Sequence, residues 1–257
     1  MKFRGNATGS FIGLAVLAFV FVLALLGSSS SALAKIQIPK NLTQADRSKI
    51  VEIIGLGSTP KLLSDPYPLG GYKGLELGIG SEVLTTSEIG RLGSKASTAA
   101  EISYSILRIG KGLYNDIDIF LQFMPQTQSD ELANFGGHLR WGIYQAEYVP
   151  FHLSLVVSLN SMNFGNLITT NAQAADFVGS FNVYDVTLYA GAGSARASAI
   201  FIGGTDGVTD TGQTELQNST SSHFLAGIHL KFSSVFFAMQ MDRYAQSVYS
   251  AQIGTRF

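Results

Sequence analysis

From Lys73 to Phe257 the chain alternates apolar and polar residues at period two, segment after segment, and this constrains its fold more than any other feature. Alternation gives an extended strand one greasy and one wet face, so a chain built of little else must stack its sheets or close them. Leu75, Leu77, Ile79 and Val83 alternate with Glu76, Gly78, Gly80 and Glu82, and Ile102, Tyr104 and Ile106 with Glu101, Ser103 and Ser105. Ile117, Ile119, Leu121 and Phe123 alternate with Asp116, Asp118, Phe120 and Gln122. Phe135, Leu139, Trp141 and Ile143 oppose Asn134, His138, Arg140 and Tyr144; Phe151, Leu153, Leu155, Val157 and Leu159 oppose His152, Ser154, Ser158 and Asn160. Further segments cover 176–181, 184–202, 223–232, 235–242 and 247–257, ten in all. Most approach the roughly 9–11 residues of a tilted strand crossing a bilayer. The fold expected is all-β, a transmembrane antiparallel up-and-down barrel of ten strands, with eight or twelve as alternatives.

Composition narrows the choice. The chain is 46% hydrophobic and only 14% charged, and its mean hydropathy is +0.23. Beyond the N-terminus, however, no uncharged apolar run reaches the roughly 18 residues of a spanning helix. Seventeen basic against 18 acidic side chains leave no basic face for nucleic acid. The absence of cysteine removes disulfides, thiolate zinc sites, cysteine nucleophiles and a lipidated cysteine anchor. A soluble exported sandwich would alternate too. Against it stand aromatics near segment ends (Trp141, Tyr144, Tyr148, Phe181, Phe232, Tyr244 and Tyr249), where a membrane barrel carries its interfacial girdles.

Residues 1–34 have the layout of a cleaved export signal: Lys2 and Arg4, an apolar stretch over 11–26, then Ala32-Leu33-Ala34. Residues 35–72 form an N-terminal helix and connector. Thr43 and Asp46 make a capping-box pattern, Ile50, Val51, Ile53 and Ile54 give an apolar side, and Gly55 and Gly57 end the helix. The connector over 58–72 holds three of the six prolines. Residues 73–257 are the barrel. Short connections near 110–115, 145–149, 182–183 and 232–234 alternate with longer ones near 85–97, 125–131, 161–173 and 203–221, so the short turns are expected to face the periplasm together with both termini.

Tyr249, Ala251, Ile253 and Phe257 share one face of the last segment. Here the chain resembles bacterial outer-membrane barrel proteins, whose final strand ends in an aromatic. The resemblance makes Phe257 the signal read by the barrel assembly machinery and places the protein in the bacterial outer membrane; Thr255 departs from the apolar or aromatic residue usual at its position. More narrowly, Asp46-Arg47 through Ile54-Gly55-Leu56-Gly57, followed by Ser64-Asp65-Pro66-Tyr67-Pro68-Leu69-Gly70-Gly71-Tyr72, resembles the N-terminal segment of uncharacterised outer-membrane barrels from predatory bacteria. That resemblance implies fold and location and carries no catalytic residues.

If the apolar set faces lipid, the opposite set lines the lumen: Glu76, Glu101, Asp116, Asp118, Asp176, Asp185 and Asp242 with His138, Arg140, His229, Lys231 and Arg256. Charges of both signs in so small a space pair up, and Phe120, Val156 and Tyr189 add bulk, so the lumen is expected to be plugged or narrow. Any conduction through it favours cations. The four histidines show no metal-ligand spacing, and no cofactor motif is present. His152 and Ser154 share a strand face, the His-x-Ser arrangement of outer-membrane lipid hydrolases; alternation turns both into the lumen, out of an acyl chain's reach. Gly137, Gly179, Ala190, Ala192, Ala226 and Ala251 make the outward face unusually small. The reading is an architectural or lipid-organising barrel rather than an enzyme, a homo-oligomer contacting outer-membrane lipid. The alternatives are a small cation-preferring pore and a lipid hydrolase.

Overall fold

The computed structural model describes residues 38–94, 101–125 and 132–257. Ten strands form one closed antiparallel barrel: β1 (Leu75–Thr85), β2 (Glu101–Gly112), β3 (Ile117–Phe123), β4 (Leu132–Gln145), β5 (Phe151–Phe164), β6 (Ile168–Val183), β7 (Val186–Phe201), β8 (Glu215–Phe232), β9 (Val235–Arg243) and β10 (Ser247–Arg256). Each strand pairs with its sequence neighbours, and β10 closes on β1 with Ile253 opposite Ile79. Closure leaves no open edge for another chain to pair with. Phe257 completes the seam, exchanging backbone hydrogen bonds of 2.8 and 3.1 Å with Leu75. The export signal expected over 1–34 lies outside the described residues.

Below their midpoints the strands follow the expected pattern. On β5, Phe151, Leu153, Leu155, Val157 and Leu159 point outward while His152, Ser154, Val156 and Ser158 are buried inside. That run is about 26 Å along the strand and, at a tilt of about 40°, some 20 Å along the axis, close to the apolar band height of a membrane barrel. Trp141, Tyr144 and Phe181 stand exposed on this wall, and Tyr249 stands exposed nearer the loop end, opposite Val83.

Toward the loop end, where β1 leads out and β10 leads in, the polarity reverses without any change of strand. On β6, Phe177 and Phe181 face outward and Asp176 and Ser180 inward, but higher up Asn171 and Gln173 face outward and Ala172 and Ala174 inward. Strand β2 does the same, with Ile109 outward and Arg108 inward, then Glu101 outward and Ile102, Tyr104 and Ile106 inward. The upper third is thus built like a water-soluble barrel around an apolar core. This reversal corrects the placement of Glu101, which is exposed and points out, and of Ile102, Tyr104 and Ile106, which do not face outward. It also explains why β6 and β8 begin earlier than expected: their upper halves are polar outside, with no alternating apolar signal to mark a strand.

The N-terminal segment fills that core. Helix α1 (Gln44–Ile50) carries the expected capping box, Asp46 accepting from the Thr43 amide at 3.0 Å. A π-helical turn over Val51–Gly55 continues it. Ile50, Val51, Ile53, Ile54 and Leu56 are all buried, packed against Ala195, Ala197 and Ala199 of β7 and their neighbours. At the loop end Leu42 donates to Val208 at 2.8 Å and accepts from Asp210 at 3.2 Å, while Arg47 pairs with Asp210 at 2.8 Å. Lys49 at this mouth lies 3.2 Å from Glu88 and 3.5 Å from Glu52; burial opposes its charge, but the two carboxylates prevail and hold its ammonium above the ordinary range. Residues 58–69 then descend through the lumen to the turn end, where Gly70 and Gly71 adopt left-handed φ of 87° and 73° and swing the chain into β1. Ile38 and Leu42 therefore sit at the opposite end from Phe257. Against the expectation that both termini lie on the short-turn side, the first described residues, from Ile38 to Leu42, lie at the loop end, and from there the segment runs down into the lumen.

Candidate functional site

The lower lumen is where the chain concentrates its charge, and residues 58–69 run through it as a strap. A peptide strap brings bare amides and carbonyls into a confined space, and each needs a partner there. The wall supplies them. Leu63 donates to Gln240 Oε1 at 3.0 Å, Leu69 to Asp118 Oδ1 at 3.1 Å, and Arg108 Nη1 reaches the Leu62 carbonyl at 3.1 Å. Ser154 Oγ donates to the Pro66 carbonyl at 3.0 Å, and Arg256 Nη2 to the Tyr67 carbonyl at 3.0 Å. Arg140 donates to the Asp65 carbonyl.

Side chains close the remaining charge. Arg140, fully buried, forks onto Asp118 Oδ2 with Nη2 at 2.7 Å and Nε at 3.0 Å, and its guanidinium lies 4.9 Å from the Phe120 ring. Ser64 donates to Glu76 at 2.8 Å; Glu82 accepts from Tyr104 at 2.8 Å and faces the Lys61 ammonium at 3.9 Å. His223 spans two carboxylates, 2.7 Å from Asp176 and 3.0 Å from Asp242, and stacks on Tyr244 at 4.1 Å. Each ring nitrogen thus has a carboxylate oxygen within hydrogen-bond reach, which ties β8 to β6 and β9 inside the wall.

Of the expected lumen residues, Glu76, Asp118, His138, Arg140, Asp176, His229 and Asp242 are buried inside, and Arg256 lines the turn end. Four are not in the lumen. Glu101 points outward at the rim of β2. Asp116 and Asp185 are exposed in turns, the first at a φ of 57°. Lys231 is exposed at the end of β8. Turn positions continue the parity of a strand on paper, but the chain reverses there and the side chain leaves the wall. Tyr244, expected in the outer girdle, is buried against His223. Tyr144 turns outward because the ladder slips between Gly142 and Tyr144, a bulge that resets the parity of β4. Sequence reasoning missed Arg108, Glu82 and Lys61. Glu82 shares the parity of Glu76, and that signal was available.

His152 and Ser154 do come together, Nδ1 to Oγ 3.1 Å. The hydroxyl has one proton, and donating it to Pro66 leaves it only able to accept from Nδ1–H, the wrong direction for a general base. Tyr67 stacks on the imidazole at 4.7 Å and covers the pair. Among the described residues no cluster of three or more His, Asp or Glu side chains has metal-binding geometry.

Compared with solved structures, the chain is similar to the N-terminal β-barrel domain of Pseudomonas aeruginosa OprF, at 12% identity and a TM-score of 0.37 over 73% of this chain and 99% of that one. It is similar also to Ail, the attachment invasion locus protein of Yersinia pestis, at 15% identity and 0.32 over 72% and 97%. The outer membrane protein Omp33 of Acinetobacter baumannii matches at 7% identity and 0.30 over 74% and 98%. No protein-family model matches the sequence, and no curated protein does.

Proposed function

We propose that the protein is a non-enzymatic barrel of the bacterial outer membrane that organises the lipid around it, its lumen shut by its own N-terminal segment. The observation that carries this reading is the pairing of an apolar outer band with a strap hydrogen-bonded to the wall along the lower lumen. A band of this height has its lowest free energy against hydrocarbon, and a strap so held leaves no continuous water path. The experiment is single-channel recording of the purified mature chain in a planar bilayer. Silence is expected; resolved conductance steps would favour the small cation-preferring pore instead.

The protein acts, on this reading, as a homo-oligomer. Gly179, Ala190 and Ala226 are paired in register across β6, β7 and β8, and small side chains let a second barrel approach closely enough for dispersion to hold it. Cross-linking in the native membrane followed by mass measurement should give a multiple of the chain mass, and a monomer throughout would defeat this part of the reading.

A further inference from the structure

The outer wall carries a furrow of about 700 Å³ that crosses the strands obliquely, and we infer that it binds a membrane lipid of net negative charge, with Arg196 on its phosphate and an acyl chain along β3 to β5. This rests on the reading that the wall faces lipid and adds the ligand class and the residues.

The furrow follows one register row: Leu121 pairs with Gly137, Gly137 with Leu159, Leu159 with Gln173, and Gln173 with Arg196. Strands lie about 4.8 Å apart, so these four steps span roughly 19 Å. Because the strands tilt, the row climbs as it goes. Its low end is apolar and its high end lies where the wall turns polar. Gly137 makes the furrow. It faces outward between leucines, and a Cβ there would lie 2.3 Å from the Phe120 carbonyl oxygen, so no side chain fills the dent.

Arg196 supplies the specificity. Of the cations that point outward from the strands, Lys111 donates to the Tyr72 and Gly74 carbonyls and Arg243 to Ser247 at 2.9 Å. Arg196 is exposed and has no hydrogen-bond or ion-pair partner among the described residues. Across the ladder it faces Gln173 and Thr220, and along its strand Ser194 and Ser198, none of them acidic. A planar guanidinium at the top of an apolar trough matches a phosphate above an acyl chain, and the neighbouring amide and hydroxyl groups can bond the remaining oxygens. A second copy with its twofold axis at the head of the furrow would bring Arg196 against Arg196, so charge there favours an anionic occupant over another barrel.

Trp141 is the one tryptophan of the chain and stands outward two residues from Leu139 at the furrow's apolar end, so it reports on this site directly. The full mature chain is reconstituted in phosphatidylcholine vesicles containing, in separate samples, phosphatidylglycerol or phosphatidylcholine with brominated acyl chains, and Trp141 quenching is measured. Brominated phosphatidylglycerol should quench at about fivefold lower mole fraction, the preference that ~1 kcal/mol per cationic side chain confers near the membrane surface. Arg196→Gln should abolish the preference and Arg196→Lys keep part of it. Added inorganic phosphate should change nothing; if it reverses the preference, the site belongs to a free anion and the inference fails. It fails equally if wild type shows no preference or Arg196→Gln retains it. Should neither brominated lipid quench Trp141, the wall does not face hydrocarbon, and the membrane reading itself falls.

Discussion

Replacing Arg140 with methionine should lower the unfolding free energy of the barrel by about 3–5 kcal/mol, because the change strands a buried carboxylate without a counter-charge. Arg140 is fully buried and Asp118 nearly so, with the fork between them at 2.7 and 3.0 Å. Methionine keeps much of the side-chain volume and all of the apolar stem, so packing changes little and the electrostatic loss dominates. The loss falls on the strap as well, since Arg140 also holds the Asp65 carbonyl and lies 3.3 Å from Ser64 Oγ. The double variant Arg140→Met with Asp118→Leu removes both charges together and should recover most of the stability, though the Leu69 amide loses its acceptor. Urea titration in detergent, followed by heat-sensitive gel mobility, measures all three chains. A single variant within 1 kcal/mol of wild type would show that water reaches Asp118, and the shut-lumen reading would have to be abandoned.

That ion pair was legible from residue order, and so was the barrel. Asp118 and Arg140 each fall on the polar side of an alternating segment, and alternation over ten segments with turns between them specifies a closed antiparallel sheet. What alternation does not carry is the identity of the solvent on each side. In the lower wall apolar side chains are outside and polar groups inside; above it polar side chains are outside and the apolar core inside. The same period two describes both, which is why Ile102, Tyr104 and Ile106 read as lipid-facing when they belong to the buried upper core that also holds the N-terminal helix. The clue lay in β2 itself, where Arg108 and Ile109 stand in the opposite phase to Glu101 and Ile102. The direction of the strap was illegible for a different reason. Thr43 and Asp46 mark where a helix begins, and Gly70 and Gly71 where the chain turns, but neither says from which mouth the segment enters. That depends on Leu42 finding Val208 and Asp210, partners more than 160 residues distant.

Ile54→Asp should release the strap and turn a silent barrel into a conducting one. Ile54 is about 1% exposed in the apolar upper lumen, within the π-helical turn that packs on β6, β7 and β8. The change removes the roughly 1.5–3 kcal/mol of a buried isoleucine and places an unpaired carboxylate where nothing compensates it, several kcal/mol more. The ten-strand ladder does not depend on this contact, since every strand is paired on both sides, so the helix should leave while the wall stays closed. Lumen charges that the strap had neutralised then meet water rather than a dry interior, and their desolvation cost disappears. The channel left behind is as wide as the extended chain that filled it. Its wall presents Glu76, Glu82, Asp118, Asp176 and Asp242 against Arg108, Arg140 and Arg256, an acidic excess that should favour cations. Planar-bilayer steps with a cation-selective reversal potential, together with new protease cleavage within 58–69, are the expected readouts. Ile54→Val, which costs about 1 kcal/mol and introduces no charge, should remain silent and resistant. A folded Ile54→Asp barrel that neither conducts nor yields to protease would mean the strap is held by its hydrogen bonds to the lower wall alone, with the upper core contributing nothing to closure.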